Sequence, residues 1–189
     1  FIEIQEGERG SEAATPFALI VSNDNLSLVP NEFAITAIHY DIPLDADAYL
    51  EVDEELVPSG RKIPVAGTPF DFRKPKPIGK DIEAAGGYDH CFVLNRKGEL
   101  PQIRVTAPHS GRVLTIYATQ PGVQFYTGNF LADTPTRSGT VGKHDAFCLE
   151  TEGFPDAVNH PEFPDPVLRP GKRYYEKAVH KFDIDKEMI

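Results

Sequence analysis

No stretch of this 189-residue sequence is a long enough apolar run to form a membrane-crossing helix. The opening residues Phe1-Ile2-Glu3-Ile4-Gln5-Glu6 lack the basic and apolar regions of a secretory leader. An initiating methionine is also missing, so the chain is expected to be processed or partial. Positive charge is scarce: 19 Lys and Arg stand against 29 Asp and Glu, a net charge of −10. That balance argues against nucleic acid, whose phosphates want a basic face, and against an anionic membrane surface. Only two cysteines occur, Cys91 and Cys148, with no CxxC pair, so a zinc site is not expected. Two free thiols and no leader lead to the expectation of a cytoplasmic protein. The six histidines (His39, His90, His109, His144, His160 and His180) show no metal-binding spacing, and no metal is assigned. Neither an internal repeat nor a low-complexity tract is visible.

Long proline- and glycine-free windows are missing too. Seventeen prolines and fifteen glycines, spread along the chain, leave little room for a long helix. The pieces between them read as short strands. Alternating or β-rich runs occur at Ile42–Leu50, Cys91–Leu94, Gln102–Thr106, Arg112–Thr119, Val123–Thr127 and Tyr174–Phe182. Pro58-Ser59-Gly60, Arg96-Lys97-Gly98 and His109-Ser110-Gly111 read as turns between strands. One short helix is expected around Ile78–Ala84. The pattern predicts an all-β protein, a β-sandwich with few or no helices. Residues 1–21 are expected to form a poorly structured arm, and 22–189 the sandwich domain. At 40% apolar residues the chain can bury a real core.

Three segments could carry chemistry. Glu150 follows the apolar run Ala146-Phe147-Cys148-Leu149 and precedes a proline-rich segment, which predicts an acid at a strand end, aimed by a stiff neighbour. The residues alone leave open whether it is a general base or a solvated acid. Gly86-Gly87-Tyr88-Asp89-His90 reads as a turn whose glycines allow close approach of a ligand. There Asp89 could accept hydrogen bonds from sugar hydroxyls with His90 orienting it, or could cap its own turn. The run Gln120–Phe130 mixes amides, aromatics and glycines, so Gln124 could serve a sugar, or the run could be a hairpin with Tyr126 and Phe130 in the core.

Read together, the segments resemble the galactose mutarotase (aldose 1-epimerase) family. "GGYDHCFVL", "SGRVLTIYATQPGVQFYTGNFL" and "FCLETEGFPDAVNHPEFPDPVLRPGKRY" are similar to three of that family's motifs. They occur in the family's order, and "DADAYLEVDEELVPSGRKIPVAGTPFDFRKPKPIG" precedes them. The resemblance implies a galactose mutarotase-like β-sandwich whose loops bind a hexose such as galactose or glucose, with Glu150 as catalytic base and Asp89 and Gln124 as holders of sugar hydroxyls. It implies acid/base ring opening without a cofactor, and interconversion of α and β anomers. The family's general-acid histidine lies in a segment like N-H-S-Y-F-N-L. The counterpart here is "IVSNDNL", residues 20–26, where the histidine position reads Val21 and the aromatic positions read Asn23 and Asp24. The chain is therefore expected to correspond to the C-terminal half of a complete member. The alternatives are a catalytically impaired sugar-binding relative, or a truncated fragment whose open sheet edges invite self-association.

Overall fold

A computed structural model describes residues 18–22, 41–95, 101–108, 111–135 and 140–185. The strands are β1 (Ala18–Ser22), β2 (Ala46–Val52), β3 (Pro58–Pro64), β4 (Asp89–Leu94), β5 (Ile103–Ala107), β6 (Arg112–Ala118), β7 (Gly122–Tyr126), β8 (Thr134–Pro135), β9 (Thr140–Val141), β10 (Ala146–Glu152) and β11 (Ala178–Ile184). Among the described residues helix is confined to α1 (Ile82–Ala85) and the single turns Ile78–Lys80 and Ala157–Asn159. The all-β expectation holds.

Six strands form one antiparallel sheet in the order β1-β10-β7-β4-β2-β3, and three form a second in the order β11-β6-β5. The two sheets close on a shared core. Phe92, Val123, Phe125, Phe147 and Leu149 from the larger sheet meet Ile103, Val105, Leu114 and Ile116 from the smaller. Strand residues alternate between faces, so each inward apolar residue leaves its neighbours pointing away from the core. The aromatic centre is continuous: Phe125 stacks on Tyr88 with centroids 5.3 Å apart and meets Phe147 edge-on at 6.2 Å.

Several boundaries differ from the sequence reading. Pro58-Ser59-Gly60 opens β3 instead of forming a turn. A proline is tolerated there because β3 is the edge of its sheet and Pro58 is its first residue. The strand expected from Ile42 starts at Ala46, since Pro43 interrupts it and the N–H groups of Ile42 and Leu44 donate instead to Lys76 and Phe72 in the connection that follows β3. Ala18–Ser22 is a strand that straddles the boundary expected between arm and domain, while residues 1–17 lie outside the described residues, as do 23–26 of the "IVSNDNL" counterpart. No helix among the described residues is long and apolar enough to cross a membrane.

Candidate active site on the outer face of the large sheet

The ladder places three candidate residues on one face. Glu150 on β10 lies opposite Gln124 on β7, with Ala18 of β1 on its other flank. Gln124 in turn lies opposite Cys91 of β4, and Asp89 lies opposite Tyr126, one row along on the same face. Side chains diagonal across a ladder are within reach of one another. Gln124 uses that reach: its Nε2 donates to Asp89 Oδ1 at 2.7 Å. A primary amide can donate and accept at once, which suits it to a sugar hydroxyl.

Glu150 is not at a strand end. β10 continues through Thr151 and Glu152, and the first proline of the following segment is Pro155. The carboxylate is therefore aimed by a strand bonded on both sides, and the proline-rich segment does something else. Its Phe154, Ala157 and Phe163 turn back onto Leu50, Cys91 and Val93, and so cover one end of the outer face. Lys62 Nζ sits 5.0 Å from the centre of the Phe154 ring and adds a cation–π contact.

The Gly86-Gly87 pair also acts differently from the expectation. Gly86 closes α1 with φ of 72°. At Gly87, φ is 90°, and a Cβ would lie 2.3 Å from Asn129 Oδ1. The close approach serves a neighbouring amide: Asn129 Nδ2 donates to the Tyr88 carbonyl at 3.0 Å. His90 does not orient the Asp89 side chain. It points to the core side, meeting Phe70 and Tyr49 edge-on at 4.7 and 5.4 Å, and its Nδ1 accepts the backbone N–H of Asp89. Burial lowers its pKa to about 4, so it stays neutral. Of the two aromatics considered for the core, Phe130 is 73% exposed. It stacks on Tyr126, whose hydroxyl accepts the Phe130 backbone N–H at 3.1 Å.

The electrostatics of the face are those of crowded acids. Burial, then the Asp89 carboxylate, raises the pKa of Glu150. Burial raises Asp89 as well, with the Gln124 hydrogen bond pulling the other way. Such a carboxylate binds a proton more tightly than a solvated one and is the stronger base. A third carboxyl shares the face and was not singled out from sequence. Glu152 stands two residues beyond Glu150, opposite Gly122, and burial followed by Glu150 raises its pKa to about 7. The signal was present: in a strand, residues i and i+2 face the same way, so an E-T-E run delivers two acids to one side. Both cysteines are free thiols, Cys91 buried and Cys148 half-buried, and burial raises the pKa of each.

Comparison with known proteins follows the same outline. The family model described as aldose 1-epimerase matches residues 29–181. A galactose mutarotase from Rattus norvegicus is 49% identical over 150 residues, covering 77% of this chain and 44% of that protein. An aldose 1-epimerase from Escherichia coli (strain K12) is 42% identical over 149 residues, covering 72% of this chain and 43% of that protein. The solved structure of an aldose epimerase homologue from C. elegans superimposes with a TM-score of 0.73 at 30% identity, over 79% of this chain and 47% of that one. The chain thus spans less than half the length of each of these three relatives.

Proposed function

We propose, from the premise that this chain belongs to the aldose 1-epimerase family, that its large sheet carries the base and sugar-holding side of an anomer-exchange site. In this reading Glu150 removes the anomeric hydroxyl proton of an aldohexose such as galactose or glucose. Asp89 and Gln124 hold the sugar's hydroxyls. The observation that carries it is the common face of the three side chains, tied by the 2.7 Å bond from Gln124 to Asp89.

The chemistry follows from the groups. As Glu150 takes the O1 proton, the O1–H electrons form the C1=O1 double bond. The C1–O5 bond breaks, and an acid protonates O5. Rotation about C1–C2 turns the other carbonyl face toward O5. O5 then adds back to C1 and returns its proton to the acid, while Glu150 gives its proton to O1. Nothing is oxidised or reduced, so the reaction as written takes no cofactor. A positioned base and acid each supply roughly 10²- to 10⁴-fold over water.

One observation favours a second reading. In the resemblance to the family's acid segment, Val21 stands at the histidine's place; it lies in β1 opposite Phe147, and valine has no proton to give. A chain that holds the sugar and the base without an acid would bind hexose with weak or no anomer exchange.

Polarimetry on freshly dissolved α-D-galactose separates the readings. Epimerase activity predicts exchange above the spontaneous rate and a fall to that rate in Glu150→Gln, with galactose still bound in titration calorimetry. Heat of binding with exchange at background selects the sugar-binding reading. Equal exchange rates for the native chain and Glu150→Gln would remove Glu150 from the role of base.

A further inference from the structure

Beside Gln124 the outer face opens into a cavity of about 150 Å³. A single buried water needs roughly 10–15 Å³ by the same kind of measure, so the space suits a larger group. Its walls are of two kinds. Leu50, Val52, Leu56 and Pro58, from β2, β3 and their connection, make an apolar side. Gln124, Glu152 and the Cys91 thiol make a polar side. The thiol interacts with the Glu152 carboxyl as a weak donor, yet the buried Oε1 of Glu152 is left without a hydrogen-bond partner. A buried carboxylate oxygen without a partner is costly, and such an atom calls for a donor from outside the protein.

Resting on the proposed sugar site, we infer that this cavity receives the exocyclic hydroxymethyl arm of an aldohexose, with its hydroxyl donating to Glu152. Among a hexose's substituents, that arm joins a methylene to a flexible hydroxyl. It therefore matches an apolar wall facing an unpaired acceptor. Glu150 and Glu152 share a face two residues apart, roughly 7 Å along the strand. In a pyranose the anomeric carbon and the hydroxymethyl-bearing carbon are both bonded to the ring oxygen, so the anomeric hydroxyl and the arm project from the two corners beside that oxygen and each can reach toward one of the two carboxyls. Gln124 stands opposite Glu150 and also lines the cavity, so one amide borders both ends of the sugar. Glu152 thus becomes a specificity residue that separates hexoses from pentoses.

Matched sugars test this. L-arabinose is galactose without the hydroxymethyl arm, and D-xylose is glucose without it. Titration of the full chain should show each hexose bound about tenfold or more tighter than its pentose. In Glu152→Ala the two affinities should converge, through loss of hexose binding alone. Unchanged pentose binding shows that the variant is folded. Glu152→Gln, which keeps an acceptor oxygen, should recover most of the hexose preference. Equal affinity for hexose and pentose in the native chain, or parallel loss of both in Glu152→Ala, would overturn the assignment while leaving the sugar site standing. Binding of neither sugar would instead remove the sugar site, and this inference with it.

Discussion

Glu152 holds its proton more tightly in the folded chain than in the unfolded one: its pKa moves from 4.5 to about 7. Between those values the folded state binds the extra proton. The group's contribution is therefore most favourable below pH 4.5 and is lost as pH rises through 7. At pH 8 the buried charge lowers stability by about 3 kcal/mol. Glu152→Gln should accordingly raise the urea midpoint at pH 8 and leave it nearly unchanged at pH 4.5. An equal shift at both pH values would mean that the carboxyl's charge is not the cause. The same residue marks the limit of what could be read from sequence. Strand alternation places Glu150 and Glu152 on one side, and that much follows from spacing. The bond between Gln124 and Asp89 does not, because it depends on the register of β4 against β7 between residues 35 apart. The resemblance named all three candidate residues; geometry brought them together.

At the level of elements, the connection between α1 and β4 is the most constrained piece near the site. Gly86 and Gly87 both have positive φ, but only Gly87 is crowded: nothing lies within 4 Å of a Cβ at Gly86. Gly86→Ala should cost about 1 kcal/mol of stability, the usual penalty for a side chain in that conformation. Gly87→Ala must also displace the Asn129 amide from the Tyr88 carbonyl and Thr127 Oγ1, and should cost about 2–4 kcal/mol. Urea unfolding of the two variants side by side checks the ordering. The glycine pair was visible in sequence as a turn, whereas its partner, Asn129, some 40 residues on, was not. β10 teaches a related lesson. Apolar content alone ended the run at Leu149, yet the strand continues through Glu152 because β7 runs beside it as far as Gly122. Strand length is set by the neighbour as well as by the residues in it.

For the whole molecule, short β-rich pieces punctuated by proline and glycine were enough to predict a sandwich. The order β1-β10-β7-β4-β2-β3 was not legible, since local alternation carries no record of which strands meet across a hundred residues. Among the described residues β11 lies at the edge of the smaller sheet, with Phe182 63% and Ile184 55% exposed on one face of the strand. Unpaired backbone and apolar side chains together make a template for another chain. Sedimentation should show weight-average mass rising with concentration, and Phe182→Lys should shift the population toward monomer. A native chain that stays monomeric over the same range would rule out association through this edge.

Glu150 is fastened to its neighbours along both flanks of β10. The backbone under that carboxylate is thereby held in one place while the sugar passes from one anomer to the other. In the proposed reaction the travel must belong to the open-chain aldehyde, which pivots at its own end while its remaining oxygens stay moored to a stationary protein surface.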